Sequence, residues 1–251
     1  MAEQTMVQGA IAEERREERP LALRLSDALR QAVDFVGRWA SLLVVPLVVI
    51  TCIDVVARKI VWGTADGGVN GVQIWLTKNV SKLFESTLMQ EMEWHFHTAL
   101  FALVLGYGLI YNTHVRVDLV REKLAFRKKA WLELLGLTIF MIPFTGIVIW
   151  FATSYAYESW LVGEVSASTI GLSHRWIIKS ILVLGLVIAV LAGFAVWLQV
   201  VLVLWGDRAR RFALMTLEWP EEAGSKIEGK ERIKLEGEDV IDVLAPRKER
   251  A

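Results

Sequence analysis

Long apolar blocks separated by charged stretches constrain the fold of this chain more than any other feature of its sequence. A helix that crosses a bilayer needs about 20 mainly apolar residues. Hydrophobic residues make up 54% of the 251 residues, whereas soluble domains contain about 45–50% even when glycine is counted. The sequence therefore predicts an all-α membrane protein with four transmembrane helices, at about 39–60, 88–111, 131–150 and 176–205.

Composition excludes several other classes of protein. Lys and Arg total 28, as do Asp and Glu, so the chain lacks the basic excess of a nucleic-acid binder and no nucleic-acid partner is predicted. The single cysteine, Cys52, cannot form an intrachain disulfide. The 11 tryptophans indicate membrane lipids as partners, because the indole ring settles at the headgroup level. Pairs of tryptophans bracket three of the blocks: Trp39 and Trp62, Trp131 and Trp150, Trp176 and Trp205.

The distribution of Lys and Arg predicts the orientation of the chain. Basic residues gather before the first block, between the second and third, and after the fourth. The other connections carry Lys59, Lys78, Lys82 and Arg175. Because cytoplasmic loops are enriched in Lys and Arg, both termini and the middle loop are predicted to be cytoplasmic. The predicted organisation is a partly disordered cytoplasmic segment at 1–32, a membrane domain at 33–206 and a polar cytoplasmic tail at 207–251.

The connection after the first block contains a predicted amphipathic helix at about 69–85. Apolar residues recur there at steps of three and four, and polar residues fall on the opposite side. Beside a membrane, such a helix is expected to lie in the interface plane. Packing against a soluble core is the alternative, for which the sequence offers little material. The apolar face comprises Val69, Val72, Leu76, Val80 and Leu83.

The start of the second block carries polar side chains whose helical positions argue against a metal site. Glu91 and His95 share one helix face, and Glu93 and His97 share a roughly opposite face. The two histidines therefore cannot chelate one metal ion, and no metal or cofactor is predicted. The sequence also lacks phosphate-loop, nucleophile-elbow and metalloprotease motifs, so the chain is not expected to be an enzyme.

Charged residues inside the blocks need partners, because facing lipid at mid-depth costs roughly 2.5–3.5 kcal/mol even on the mildest scale. Asp54 and Arg58 have the spacing of a helical ion pair, with the acid first; a proton relay at Asp54 is the alternative. The polar start of the second block is expected at the membrane interface or against a partner subunit. Small residues at every fourth position predict close helix approach: Gly185, Ala189 and Gly193 in the fourth block, Ala102 and Gly106 in the second.

Several short motifs, taken in order, resemble those of a known family. They are Asp54-Val-Val-Ala-Arg58, Gln90-Glu-Met-Glu-Trp94, His114-Val-Arg-Val-Asp118, Gly163-Glu164 and the stretch from Gly171 to Lys179. Over about residues 34–205, the chain is similar to the small membrane subunit (DctQ type) of tripartite ATP-independent periplasmic (TRAP) transporters. The motif that ends at Asp118 is the most specific. Ser173 departs from the pattern, because many members have proline there.

The resemblance implies a scaffold role in the bacterial inner membrane. In this family a periplasmic solute-binding protein delivers an organic anion to a membrane pair. The large multi-span permease subunit carries out the transport and its ion coupling, usually to sodium. The small subunit holds the large one in the bilayer, and no cofactor of its own is implied. The candidate contacts to the large subunit or to the binding protein are Glu91, Glu93, Trp94, Glu164 and Arg175.

Further expectations concern the middle loop and the competing function classes. Arg116 and Asp118 would pin the cytoplasmic end of the second helix in the family; an ordinary juxtamembrane charge pair is the alternative. A stand-alone channel or carrier is another function class, but blocks three and four have almost no polar residues at mid-depth. A membrane cytochrome is a third class. It would need several inward-facing histidines at one depth, which the sequence does not supply.

Overall fold

The computed structural model describes residues 20–63, 69–114, 121, 124–168, 170–206 and 212–219. Within these residues the chain is mostly helical, with one short hairpin. The α-helices are α1 (Leu21–Ser41), α2 (Val44–Lys59), α3 (Val72–Asn79), α4 (Ser86–Ile110), α5 (Phe126–Leu135), α6 (Ile142–Leu161) and α7 (Trp176–Trp205). The hairpin strands are β1 (Val61–Gly63) and β2 (Val69–Gly71). A 3-10 turn covers Lys82–Phe84, and a π-helical turn covers Gly136–Met141.

Three helical stretches of the described chain are long and apolar enough to cross a membrane. They are Leu21–Lys59 with 39 residues, Phe126–Leu161 with 36 and Trp176–Trp205 with 30. Helix α4 has 25 residues, which exceeds the roughly 20 needed, but its first half contains two glutamates and two histidines that lower its mean hydropathy. The mostly helical class predicted from sequence is confirmed, and the fourth span stays a prediction.

Helix α1 begins at Leu21, so residues 21–32 are helical although the sequence led us to expect partial disorder at 1–32. One face of the helix is buried, and its members recur at helical spacing. Polar and small residues belong to this face, which is why the apolar blocks did not reveal it. Helix α1 is amphipathic rather than uniformly apolar, so it does not stand out as an apolar block. The buried face comprises Leu23, Ser26, Val33, Gly37 and Ala40.

The first long stretch turns tightly at Leu42 and Leu43, between α1 and α2. Pro46 explains the turn, because it has no N–H to donate to the carbonyl of Leu42 and its ring crowds that carbonyl. The backbone N–H groups of Leu42 and Leu43 donate instead to Trp39 (3.2 Å) and Ala40 (3.0 Å), three residues back. Trp39 therefore lies inside the helical stretch, which begins at Leu21, before the predicted start of the first span.

The connection after α2 differs from the predicted continuous helix at 69–85. Strand β2 pairs with β1 in an antiparallel hairpin, and α3 covers only 72–79. The side-chain oxygen of Asn70 accepts the backbone N–H of Gly71 (2.9 Å). A Cβ at Gly71 would lie 2.8 Å from the carbonyl oxygen of Ile60. Glycine therefore permits the close strand pairing that replaces the first helical turn.

The second half of the predicted amphipathic helix forms a separate element. Helix α3 ends at Asn79, and the hydroxyl of Ser81 accepts the backbone N–H of Leu83 (3.2 Å) at the start of the 3-10 turn. Serine commonly ends or begins helical segments in this way, because its side chain competes for backbone groups. The apolar face predicted as continuous is therefore divided between a strand, a short helix and a turn.

The second of the three long stretches, α5 to α6, extends beyond the predicted span at 131–150. It begins at Phe126 and ends at Leu161, because the helix continues through charged residues such as Lys128 and Glu158. Within it, the backbone N–H of Ile142 bonds to the carbonyl of Leu137, five residues back. Pro143 follows this wide turn and has no N–H to donate, which is a common reason for irregular helix turns.

The chain divides into two compact units, of which one comprises 33–108 and 143–191. In this unit α4 and α7 approach closely. A Cβ at Gly106 would lie 2.9 Å from the carbonyl oxygen of Ile188, and a Cβ at Gly185 would collide with the backbone of Ala102. Ala102, Gly106 and Gly185 of the predicted small-residue positions therefore take part in a backbone-to-backbone contact, whereas a Cβ at Gly193 would meet Met141.

The other unit comprises the described parts of 1–32, 109–142 and 192–251. Its core includes buried small and β-branched residues of α7, such as Ala192, Ala195 and Val196. The hydroxyl of Ser26 in α1 donates to the carbonyl of Ala195 (2.8 Å). Satisfying a buried hydroxyl in this way avoids the cost of an unpaired polar group, and it ties α1 to α7.

Candidate functional site

Polar side chains gather where the first turns of α4 meet the loop that joins α6 to α7, at 162–175. All of them belong to the unit of 33–108 and 143–191. The group brings together three of the residues predicted as contacts, with two further residues from the loop and from α7. We call it the Glu91 cluster: Glu91, Glu164, Ser166, Arg175 and Lys179.

Glu91 holds the loop against α4. Its carboxylate accepts one hydrogen bond from the hydroxyl of Ser166 and another from the backbone N–H of Leu172 (2.5 Å). Gly171 is needed for this approach, because a Cβ there would lie 2.7 Å from Glu91 Oε1 and would collide with Ser166. The motif around Glu91 and the motif that begins at Gly171 are therefore joined in space.

The loop before α7 is shaped by two residues with left-handed backbone conformations. Gly163 has a φ of 59° and His174 a φ of 62°; glycine adopts this region freely, whereas it is uncommon for histidine. The backbone N–H of Arg175 donates to the carbonyl of Glu164 (3.3 Å). The two ends of the loop are therefore bonded to each other, which brings Glu164 beside the start of α7.

Glu164 forms an ion pair with Lys179, one turn into α7. The ammonium of Lys179 also lies 3.5 Å from the centroid of the Tyr155 ring on α6, a cation–π geometry. The hydrogen bond from Lys179 holds the pKa of the Glu164 carboxyl below its usual range. Glu164 is therefore ionised at neutral pH, and the pair links the loop to α6 and α7.

Arg175 is the residue of the Glu91 cluster that can donate hydrogen bonds to a further group. It is half-buried, and its charge lies near the carboxylates of Glu91 and Glu164. Those carboxylates receive their hydrogen bonds from Ser166, Leu172 and Lys179, as described above. Within the described residues the guanidinium of Arg175 donates no hydrogen bond, so its five donors are available to an anionic group.

Glu93 and Trp94 do not join the Glu91 cluster. One carboxylate oxygen of Glu93 is buried, with no hydrogen-bond partner among the described residues. A contact from Glu93 to another protein would therefore have to use its other oxygen. Trp94 is 71% exposed, although it follows Glu93 directly, because successive helix residues point about 100° apart. Of the predicted contact residues, Glu91, Glu164 and Arg175 therefore belong to an internal cluster, Glu93 is partly buried outside it, and Trp94 is exposed.

Asp54 lies at the end of α2 and is completely buried. Its carboxylate forms an ion pair with Arg58, which is partly exposed. The hydroxyl of Ser86, at the start of α4, donates to the other oxygen of Asp54 (3.4 Å). Asp54 thus joins two helices as well as pairing within its own. The other predicted pair, Arg116 and Asp118, lies outside the described residues.

The segment 212–219, which the sequence led us to place in a polar tail, is folded against its unit in the structure. We call it the C-terminal hook. The amide of Gln199 donates to the carbonyl of Ala213 (3.1 Å) and accepts the backbone N–H of Met215 (3.0 Å). The guanidinium of Arg121 donates to the carbonyl of Thr216 (2.9 Å). Gln199 and Arg121 therefore hold the hook through its backbone.

Aromatic packing completes the C-terminal hook. The ring of Trp219 lies 5.2 Å from that of Phe126, between centroids, and its indole N–H donates to the carbonyl of Phe212 (2.8 Å). Trp219 is buried, as are Met215 and Leu217. A short run of apolar residues among charged ones was the sequence signal for this segment. Because the run is too short for a span, the sequence led us to place it in the tail.

Comparisons with known proteins do not add to this geometry. The chain matches no family model, no curated protein and no solved structure. Among the described residues, no three His, Cys, Asp or Glu side chains come together as a metal site. The functional assignment therefore depends on the motifs of the chain and on the contacts described above.

Proposed function

We propose that this chain is the small, DctQ-type membrane subunit of a TRAP transporter. It acts as a scaffold that pairs with a large multi-span permease subunit in the bacterial inner membrane and helps to receive a periplasmic solute-binding protein. The large subunit imports an organic anion, with sodium as the expected coupling ion. The ordered motifs between Asp54 and Lys179 support this proposal.

The observation that carries the proposal is how the chain uses its charged groups. Asp54 bonds to Arg58 and to the start of α4. Glu91 bonds to the loop before α7, and Glu164 bonds to Lys179. A carrier would need such groups free to exchange a solute, whereas here they join elements of the same chain. This use of charge favours a structural subunit over a stand-alone carrier.

The proposal includes four spans, an interfacial α3 and cytoplasmic termini. The contact between α4 and α7 supports the fourth span, because α4 lies with Ala102 and Gly106 against the backbone of a 30-residue apolar helix. Close approach through small residues is typical of helix pairs in membranes. The concentration of Lys and Arg before the first span and between the second and third supports the orientation.

The direct test is reconstitution with the large TRAP permease and the binding protein of the same organism. We expect this chain to co-elute with the large subunit in mild detergent. We expect proteoliposomes to take up the anion only when both membrane subunits, the binding protein and an ion gradient are present. Uptake by the chain alone would show a carrier instead, and the absence of any co-eluting permease would refute the scaffold role.

Exposed aromatic residues sharpen the test. Trp94 is expected to contact the partner, since buried tryptophans commonly contribute 2 kcal/mol or more at interfaces, about a 30-fold change in Kd. Trp94→Ala should therefore weaken the subunit complex. Trp150 is similarly exposed, on α6, and Trp150→Ala is the matched control. Equal affinities for both variants would exclude Trp94 as a contact.

A further inference from the structure

A groove with a volume of about 330 Å³ lies between α6 and α7. It belongs to the same unit as the Glu91 cluster but has a different lining. Three aromatic rings form most of its walls, and small residues lie between them. The lining includes Thr153, Ala156, Tyr157 and Trp160 from α6, and Trp176 and Ser180 from α7.

The chemistry of this groove suits a hydrocarbon. No charged side chain lines it. The hydroxyl of Thr153 donates to the carbonyl of Ile149 (2.8 Å), and that of Ser180 donates to the carbonyl of Trp176 (2.8 Å). Both hydroxyls therefore donate within their own helices. The other polar groups of the lining are the Tyr157 hydroxyl and two indole N–H groups, so a strongly polar ligand would replace few of its hydrogen bonds to water, which is unfavourable.

The dimensions of the groove suit a lipid chain better than a helix. Thr153 and Trp160 are two helical turns apart, or about 10 Å at a rise of 1.5 Å per residue. A volume near 330 Å³ holds about eleven groups of water or methylene size, at roughly 30 Å³ each. A helix with side chains is about 10–12 Å wide and cannot enter such a space. An acyl segment of about ten carbons fits both the length and the volume of the groove.

A cation directly precedes one of the lining residues, Trp176, in the sequence. Trp160 and Trp176 flank the loop before α7, and tryptophan settles at the headgroup level of a bilayer. Arg175 directly precedes Trp176, and its guanidinium donates no hydrogen bond within the described part of the chain. Guanidinium binds phosphate through paired hydrogen bonds. A phosphate at the headgroup level would therefore meet these unused donors.

We propose that this groove binds one phospholipid, with an acyl chain between α6 and α7 and its phosphate at Arg175. This site goes beyond the proposed transport role and requires only that α6 and α7 lie in a membrane. The bound lipid would cover the aromatic walls and would place an anion beside the Glu91 cluster.

The test uses the full chain in phosphatidylethanolamine nanodiscs that contain a phosphatidylglycerol with a diazirine in its acyl chain. After irradiation, mass spectrometry is expected to find label concentrated on the α6 and α7 peptides that line the groove. Ala156→Phe and Ser180→Phe fill the groove and should lower that label at least fivefold. Ser180 is exposed, so this variant should fold even if Ala156→Phe does not. Gly146→Phe is the control on α6, because a Cβ at Gly146 meets no neighbour within 4 Å.

A second arm tests the phosphate. Arg175→Gln should lower groove labelling by phosphatidylglycerol to the level given by a diacylglycerol with the same diazirine chain. The proposal is overturned if the groove is labelled no more than exposed helix faces, or if Ser180→Phe leaves its label unchanged. It is also overturned if phosphatidylglycerol and diacylglycerol label the wild type equally, or if a bound permease subunit displaces the label from the groove.

Discussion

At the scale of single residues, carboxylates decide how neighbouring elements are joined. Glu91 receives donors from the loop before α7, and Asp54 receives donors from α2 and from the start of α4. Removing one partner from a charge-assisted hydrogen bond leaves the other with its full desolvation cost. Substitutions at these carboxylates should therefore change local structure more than substitutions at exposed ones.

Glu91→Ala is expected to release the loop at 166–172. It removes the acceptor of Ser166 and Leu172, and bonds to charged groups contribute about 1.5–3 kcal/mol each. Hydrogen exchange of the loop amides in detergent should rise at least tenfold. Glu158 is exposed on α6, and Glu158→Ala should leave that exchange unchanged. A loop equally protected in both variants would contradict the role of Glu91.

The Glu164–Lys179 pair predicts a loop that loosens in acid. The ion pair lowers the pKa of Glu164 in the folded chain, below the ordinary value of about 4.3. Its stabilising contribution is therefore complete above about pH 4.3 and is lost as the pH falls through the folded pKa. Loop exchange, corrected for intrinsic rates, should rise below about pH 4. Glu164→Gln should abolish this rise in exchange at low pH. Constant protection of the wild-type loop over the same pH range would contradict the prediction.

At the scale of secondary-structure elements, two kinds of contact organise the helices. Small residues allow α4 and α7 to approach backbone to backbone. Backbone hydrogen bonds from Gln199 and Arg121 hold the C-terminal hook. The first contact depends on the absence of side-chain atoms, and the second depends on a polar side chain in a very apolar helix. Each makes a separate prediction.

Gly185→Ala should separate α4 from α7. Its Cβ would collide with the backbone of Ala102, and overpacking typically costs about 1–3 kcal/mol. A lower Tm in detergent is expected. Gly146→Ala is the matched control: its Cβ meets nothing within 4 Å, and alanine raises helix stability by about 0.5–1 kcal/mol over glycine. A Tm that rises in both variants would show that the helices do not touch.

Gln199→Leu should release the C-terminal hook. The substitution removes the bonds to Ala213 and Met215, and each typically contributes about 0.5–1.5 kcal/mol. We expect limited proteolysis within 212–219 to accelerate several-fold while the Tm of the helical part changes little. Ser180→Ala, in the same helix, removes an exposed hydroxyl, and protease should cleave this variant within 212–219 at the wild-type rate. An unchanged rate of cleavage in Gln199→Leu would show that the hydrogen bonds of Gln199 do not hold the C-terminal hook.

At the scale of the whole molecule, α4 decides the membrane topology. The three long apolar stretches and a spanning α4 give an even number of crossings and put both termini on one side. If α4 lay outside the bilayer, the number of crossings would be odd. The position of residues on either side of α4 therefore distinguishes the two arrangements.

Cysteine labelling measures this directly. In a Cys52→Ser background, Lys78→Cys lies before α4 and Lys128→Cys lies after it, and both side chains are exposed. We expect a membrane-impermeant maleimide to label residue 78 in spheroplasts and residue 128 only after permeabilisation. Labelling of both residues from the same side would show that α4 does not span the membrane. Ser173→Cys, in the loop before α7, should label like residue 78.

The sequence predicted the mostly helical class because long apolar blocks have few folded alternatives. It also identified Glu91, Glu164 and Arg175 as candidates, through motifs, but not that they meet. That contact depends on the turn made by Gly163 and His174. The burial of α1 was missed because Ser26 and Gly37 belong to its buried face, and hydropathy does not count such residues as core.

The C-terminal hook and the β-hairpin were missed for a different reason. Both are short segments whose structure is set by contacts distant in sequence or by a single close approach. Gln199 bonds to the backbone of residues that follow it by 14 and 16 positions in the sequence. Gly71 allows a strand where the periodicity predicted a helix. Local patterns do not contain these tertiary contacts.

The close approach of α4 and α7 has a consequence for biosynthesis. Helix α7 is translated long after α4, so Ala102 and Gly106 are made before the backbone that covers them. Until then α4, whose first half carries two glutamates and two histidines, lacks the helix that covers this surface. A chain arrested before Trp176 would leave this surface of α4 bare. Completion of α7 is therefore also the step that covers this surface of α4.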